Sequence, residues 1–514
     1  MRAQAQGGGP GAGRVGGRRG PFAAALFGAA LGLGALAAVV PALSAADEAA
    51  TRRPRLSETK KAALEAVEAH RQAIVGLSEE VWRYAETALR ETRSAEATAK
   101  AAEAAGFRVT RGVADLPTAL VAEYGEGAPV IGVLGEYDAL PGLSQKTVTA
   151  PEAVEAGAAG HGCGHNLLGA GSFGAALAIK DLIAAGKLKG TIRFYGAPAE
   201  ESVGGKLYMI RAGLFKDVDV VLTWHPGDRT RVDTSSSQAI VDLRIDFAGR
   251  AAHAAFDPWN GRSAVDGMEL FNHGVDLLRE HVRPSVRMHY VILDGGRVPN
   301  VVPDHAAVWL WVRDSKRTGV EPLVERLRAV AEGAGLGAGV TPTFTVQGGS
   351  WEILVNMPGA RVMHANLEAL PPLEYTQEEQ EFARAIQRSA GVETKGLRTA
   401  VDPLPARPGE PEGGSTDVGD VSWIAPVLHA TIATAPEGAP WHAWPVVACA
   451  GMTIGQKGML QASRLLAITM VDLFESPGLR RAIRSEFETQ TSGVVYRGYA
   501  PAGGPPKEAP SPHP

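Results

Sequence analysis

Between residues 57 and 105 the apolar positions Leu64, Val67, Ile74, Leu77 and Val81 recur at spacings of three, four and seven. That spacing lines one face of a helix, so the segment is predicted to be helical. The period then shortens. Residues 118–124 and 129–134 are strand-like apolar runs, and residues 169–185 read as a helix rich in small side chains. Residues 191–197 and 218–224 read as strands again. Strands alternating with helices predict an α/β domain.

Past residue 238 the texture changes. Residues 239–247 alternate, with Val241, Leu243, Ile245 and Phe247 two apart, as in a half-buried strand. An amphipathic helix over 262–282 follows, with Val265, Met268, Leu270, Phe271, Val275 and Leu278 available for its apolar face. Strands over 286–293 and 305–312, a helix over 320–334 and a strand over 340–346 complete a β-α-β-β-α-β run, the pattern of a ferredoxin-like unit. The expected architecture is an α/β catalytic domain in two parts, 57–236 and 351–480, interrupted by a smaller α+β satellite domain at 237–350. The tail over 499–514, rich in Pro and Gly, is expected to be disordered.

Composition narrows the class. The 514 residues are 45% hydrophobic and 21% charged, as in ordinary globular proteins, and the formal net charge is -5. That balance, with no basic stripe in the body of the chain, argues against a nucleic-acid partner. At the N-terminus, Arg14, Arg18 and Arg19 precede an uncharged apolar run over 22–40, followed by small residues near Ser44, Ala45 and Ala46. This is the grammar of a secretory signal over residues 1–46, with paired arginines of the twin-arginine type. It predicts export to the periplasm, with no stable membrane association after cleavage. An uncleaved membrane anchor is the competing reading, since the apolar run can just span a bilayer.

The chemistry concentrates in His161-Gly-Cys-Gly-His-Asn166. A thiol and an imidazole one residue apart, flanked by glycines, can turn toward one ion. Three other fates of Cys163 stand beside this: a buried structural cysteine, a nucleophile paired with histidine, or a disulfide with Cys449, the only other cysteine. Acids and a histidine follow three strand-like runs: Glu136 and Asp138, then Glu200 and Glu201, then His225. In open α/β sheets, ligands bind beyond the carboxyl ends of the strands. Any one of these acids could be a solvated loop residue; three strand ends together point to one crevice. Adjacent Glu200 and Glu201 point in different directions if extended, so one can hold a metal while the other faces water.

These stretches resemble the aminoacylase/carboxypeptidase family of metallopeptidases, in particular its amidohydrolase branch that contains the aminobenzoyl-glutamate hydrolases. The resemblance also rests on Leu134-Gly-Glu-Tyr-Asp-Ala-Leu-Pro-Gly142, Ala197-Pro-Ala-Glu-Glu201, Trp224-His-Pro226, Gly249-Arg-Ala-Ala-His-Ala-Ala255, Pro299-Asn-Val-Val-Pro303, Gly414-Ser-Thr-Asp-Val-Gly-Asp420 and Pro440-Trp-His-Ala-Trp444. It implies a mixed-sheet catalytic domain and two divalent ions per chain, zinc or manganese, with cobalt also accepted. By resemblance the metal ligands are Cys163, His165, Glu201, His225 and His442, the general base is Glu200, and Asp138 orients a ligand. His253 and Asn300 match residues that reach the substrate, often across a homodimer held by the satellite domain. The implied activity is hydrolysis of an N-acyl amino acid such as p-aminobenzoyl-glutamate. A dipeptidase of the same family and a non-catalytic binder of amidated amino acids are the alternatives. Asn166 stands where many relatives have Asp.

Overall fold

The computed structural model describes residues 56–508. The expected signal at 1–46 lies outside these residues, as do the last six residues of the chain. Among the described residues eleven strands occur in chain order: β1 (Arg108–Arg111), β2 (Leu120–Gly125), β3 (Val130–Glu136), β4 (Thr191–Ala197), β5 (Val220–Gly227), β6 (Arg231–Val232), β7 (Ala239–Ala248), β8 (Arg287–Asp294), β9 (His305–Asp314), β10 (Thr341–Ser350) and β11 (Val427–Ala433). Seven form a mixed sheet in the order β1-β2-β4-β3-β5-β11-β6, and four form a second sheet in the order β10-β7-β9-β8.

In the larger sheet β4, β3, β5 and β11 run parallel, with antiparallel strands on both flanks. Parallel strands need helices on their faces, which is why β3 and β5 read as unbroken apolar runs rather than as alternating ones. Their carboxyl ends all open on one edge. The sequence pattern places no strand at β1, β6 or β11; β1 and the two-residue β6 are too short to show a period, and β11 lies in a part of the chain read only as α/β.

The helix His165–Ala184 is buried over almost its whole length. It is apolar and long enough to cross a membrane by composition, yet 78% of its apolar window is buried inside the protein. It starts four residues earlier than its small-residue pattern predicts. Gly164, at φ 79°, supplies the left-handed turn from which the helix starts, and so brings His165 into the first turn. Two contacts seat the helix. Trp224 Nε1 on β5 donates to the Leu168 carbonyl at 3.2 Å, and Ser463 Oγ donates to the Gly171 carbonyl at 2.8 Å.

The second sheet is antiparallel, and its order places the four strands of the β-α-β-β-α-β run as 4-1-3-2. Helices Ala264–Leu278 and Arg317–Ala338 belong to it. Phe247, Phe271, Val275, Leu310 and Leu327 lie in a hydrophobic core separate from that of the larger sheet. The opposite face carries Asp242, Trp309, Trp311 and Arg313.

The segment from residue 499, expected to be disordered, has no helix or strand through residue 508 but is tied to the body. Tyr499 packs against the core of the smaller sheet, and Arg211 donates to the carbonyls of Pro501 and Gly503. Composition counts the prolines and glycines; it does not weigh the apolar area that one tyrosine ring brings.

The closest approach of helix to sheet is at Gly169, where an added Cβ would stand 2.4 Å from the carbonyl oxygen of Glu136. Gly169→Ala should therefore lower stability. Overpacking costs about 1–3 kcal/mol, against at most ~1 kcal/mol regained from helix propensity. Urea denaturation measures it, and a midpoint equal to or above that of the parent chain would show that the helix does not sit on β3 in this way.

Candidate metal centre and active site

The sheet edge gathers residues from five places. β3 ends at Glu136, with Asp138 two residues on; the turn after β4 carries Glu200 and Glu201; β5 carries His225. The Gly-rich turn and the first residue of the buried helix bring Cys163 and His165. His442 comes from the loop beyond β11. Its backbone is left-handed at φ 54°, and its N–H donates to the Gly162 carbonyl at 3.0 Å, which pins it beside Cys163.

Asp138 binds two of these elements at once. Its Oδ1 lies 2.8 Å from His165 Nδ1, and its Oδ2 accepts the N–H of Glu201 at 2.9 Å. With Nδ1–H donated to Asp138, a neutral His165 ring would present a lone pair at Nε2. His225 is set the same way, with Nδ1 2.7 Å from the Pro226 carbonyl and Nε2 3.4 Å from Cys163 Sγ. Hydrogen-bonding the far ring nitrogen in this way is how proteins orient metal-binding histidines.

The donor atoms of Cys163, His165 and His225 lie within 4.8 Å of one another, and so do those of Cys163, Glu201 and His442. Cys163 belongs to both groups. His165 Nε2 and Glu201 Oε1 are buried without a hydrogen-bond partner. Orphaned acceptors of this kind are costly unless a cation sits among them. A soft thiolate, imidazoles and a carboxylate are a donor set for zinc, cobalt or manganese, so the residues fit divalent ions.

Burial works against a charged His165, but Cys163 and Asp138 outweigh it and raise its pKa well above the usual histidine range, so a metal ion at Nε2 would take the place of a proton. Burial pushes the Glu200 carboxyl well above the usual range, and Glu136, Glu201 and Asp417 push it further by repulsion. Burial likewise raises Glu201, and it raises the Cys163 thiol, with Glu201 adding to the effect. A thiol in that setting stays protonated without a cation, which disfavours the metal-free nucleophile reading. His225 is lowered to about 4 by burial and by His165, so it is a neutral donor. Cys163 and Cys449 are both free, so no disulfide joins them.

Two residues of the motif face elsewhere. His161 Nε2 is 2.9 Å from the Val81 carbonyl, and Asn166 Nδ2 donates to Ser78 Oγ and the Ala450 carbonyl, each at 3.1 Å. They fasten the turn to the helices behind it.

His253 and Asn300 are brought together, although 47 positions apart: His253 bridges Val301, and Ala254 N–H donates to the Asn300 carbonyl at 3.0 Å. Both are exposed in the stretch of chain that forms the smaller sheet, and neither lines the cavity over Glu200. That cavity, of about 330 Å³, lies between Glu200, Glu201 and His442 on one side and Asp242, Trp311 and Arg313 on the other.

Two groups of this region escape sequence reasoning, and a third is given no role by it. Lys206 is fully buried, with Nζ 2.7 Å from Glu136 Oε1 and 2.6 Å from Asp417 Oδ1. A lysine in a short helix reads as a surface residue, and only its place just after two glycines could have hinted otherwise. Glu136 is read as a strand-end acid, but the resemblance assigns a role to Asp138 and none to it. Arg313 donates to Ser415 Oγ at 3.3 Å and makes no ion pair with any described carboxylate. Its signal was a charge on an otherwise apolar strand.

The sequence profile of peptidase family M20/M25/M40 matches residues 132–402. The chain is 37% identical over 460 residues to one of the subunits of p-aminobenzoyl-glutamate hydrolase from Escherichia coli K12, covering 84% of this chain and 95% of that protein. To the Xaa-Arg dipeptidase of Homo sapiens it is 28% identical over 366 residues, 70% of this chain and 72% of that one. Among solved structures, a dinuclear metal-binding M20 peptidase of Bacillus subtilis shares the fold at TM-score 0.54 and 18% identity, covering 79% of this chain and 99% of that one. An aminobenzoyl-glutamate utilization protein from Klebsiella pneumoniae does so at TM-score 0.53 and 18% identity, with 77% and 97% covered. A profile match over more than half of the chain and a relative aligned along nearly its full length lead to one conclusion: the chain is a hydrolase belonging to peptidase family M20/M25/M40.

Proposed function

We propose that this chain hydrolyses the amide bond of an N-acyl amino acid of the p-aminobenzoyl-glutamate type, with Glu200 as general base and Cys163, His165, Glu201, His225 and His442 holding two divalent ions. The observation that carries this reading is the pair of orphaned acceptors, His165 Nε2 and Glu201 Oε1, gathered around Cys163 beside a carboxyl of raised pKa. Bound zinc, manganese or cobalt supplies Lewis acidity and lowers the pKa of water toward neutrality.

The chain's own residues do the rest. Glu200 takes a proton from the attacking water at one carboxylate oxygen and returns it to the leaving amine nitrogen, so it ends the cycle ionised, as it began. Burial, with repulsion from its acidic neighbours added, raises its affinity for that proton. Asp138 keeps His165 in one tautomer and fixes the backbone of Glu201. Arg313, the unpaired guanidinium of the cavity wall, matches a substrate carboxylate. Trp311, beneath the Arg313 guanidinium at 5.2 Å, offers a flat apolar surface to an acyl ring. The named relative's substrate supports this choice. Asp242, on the same wall, favours a second reading, a dipeptidase acting on a basic residue, as the human relative's name also suggests. Comparing turnover of p-aminobenzoyl-glutamate with that of an Xaa-Arg dipeptide separates the two.

Assembly belongs to the same proposal. His253 and Asn300 stand exposed on the smaller domain, off the cavity of their own chain. Beside them Phe256 and Trp259 are 79% and 71% exposed, and β8 is an edge strand bearing exposed Val291 and Ile292. An edge strand with apolar neighbours is a surface for a second copy. In the resulting homodimer His253 of each copy serves the other's site, stabilising charge on the carbonyl oxygen. The relative in Escherichia coli is named as one subunit of its hydrolase, so a heteromer is the alternative outcome.

Two measurements follow. Glu200→Gln should retain the ions while turnover falls at least ~100-fold, the scale of a lost general base. Near-normal turnover would remove Glu200 from that role. Glu200→Gln and His253→Ala, each inactive, should regain activity when mixed under subunit exchange, because random pairing restores roughly a quarter of the sites. No recovery despite proven exchange would rule out the shared site.

A further inference from the structure

Beside the proposed ligands lies an unexplained pair. His165 Nε2 and Glu136 Oε2 are 3.2 Å apart, and their side chains are 0% and 2% exposed. In the neutral tautomer that Asp138 favours the lone pair is at Nε2, and that nitrogen has no hydrogen-bond partner. The carboxylate oxygen opposite carries lone pairs too. Where Nε2 carries no proton, two acceptors face each other in a dry site, and either a proton or a metal cation between them resolves the repulsion.

The two oxygens of Glu136 are used differently. Oε1 is held by Lys206 Nζ at 2.7 Å, and Lys206 is held in turn by Asp417 Oδ1 at 2.6 Å. Asp417 Oδ2 also accepts the Lys206 backbone N–H at 3.0 Å, so the lysine is fixed at both ends. Only Oε2 is left to face His165. A carboxylate with one oxygen anchored by a hydrogen bond and the other presented beside an imidazole has the form of a supported one-oxygen ligand. The spacing suits an ion. With bonds of about 2.0–2.2 Å to nitrogen and oxygen, a separation of 3.2 Å corresponds to an angle of about 100° at the metal, between tetrahedral and octahedral values. Glu136, His165 and Glu200 offer donor atoms within 4.8 Å of one another.

We propose that Glu136 is a further metal ligand of this centre, binding through Oε2 beside His165 Nε2, and that Lys206 is the positioning residue that fixes its other oxygen. The inference rests on the reading above that the site holds divalent ions. It adds a carboxylate that the ligand set drawn from motifs leaves out. It also explains the buried Lys206–Asp417 pair. The ammonium keeps Glu136 ionised and turned one way, and Asp417 balances the ammonium.

The test uses the full chain, stripped with a chelator and titrated with zinc or manganese by calorimetry, with X-ray absorption on the loaded protein. Glu136→Gln keeps size and can still accept from Lys206. It should bind one of the two ions at least tenfold more weakly, the lower end of the effect of losing even a supporting group, and show one oxygen neighbour fewer at that ion. Glu136→Asp, which keeps the charge but withdraws the oxygen, should weaken binding in the same sense and guards against a Gln variant that fails to fold. If folded variants bind both ions like the parent chain with unchanged absorption spectra, Glu136 instead pairs with a protonated His165 and the proposal is wrong. If the parent chain binds no divalent ion, the metal-dependent reading fails together with it.

Discussion

The centre depends on Asp138. One buried carboxylate holds the His165 ring by Oδ1 and the Glu201 backbone by Oδ2, and so locks the start of the buried helix to the turn after β4. Both partners lie within three residues of Cys163 or Glu200. Without Asp138, His165 could adopt either tautomer and Glu201 would lose the anchor of its main chain. The approach of Gly169 to Glu136 sets the depth of the same helix, so backbone packing and side-chain chemistry share one register.

Charge explains why this arrangement calls for cations. Glu136, Asp138, Glu200, Glu201 and Asp417 crowd one edge of the sheet, and Lys206 is the one buried lysine among them. Burial first, and repulsion from acidic neighbours after it, hold the pKa of Glu200 and Glu201 above the usual range. Divalent ions would relieve that repulsion without further protonation. The smaller sheet lines the cavity with groups of another kind: a guanidinium, an indole ring and one carboxylate. The proposed reaction chemistry lies at the edge of one sheet, and the proposed recognition groups lie on the face of the other.

Much of this was legible in the chain, for physical reasons. Buried parallel strands and an alternating satellite strand leave periodic signatures, and Cys163, His165, Glu200 and Glu201 stand in runs too unusual to be filler. What stayed hidden was long-range or contrary to residue type. His442 lies 217 positions beyond His225 and reaches the site only because β11 pairs with β5 and the following loop turns back onto Gly162; resemblance, not spacing, pointed to it. Lys206 looks like a solvated lysine, and its burial is visible only once Glu136 and Asp417 are placed around it. The early start of the helix at His165 depends on the left-handed turn at Gly164, which no periodicity displays.

Cys163 is the donor on which the two-ion reading turns, since its sulfur belongs to both donor groups. A hydroxyl is a far poorer ligand than a thiolate, so Cys163→Ser is the decisive substitution, read by elemental analysis of protein reconstituted with zinc or manganese. The parent protein should carry about two ions per chain and the variant fewer than about one, because loss of the shared donor weakens both positions. Two ions retained in a folded but inactive variant would overturn the shared-donor reading and return Cys163 to the role of nucleophile.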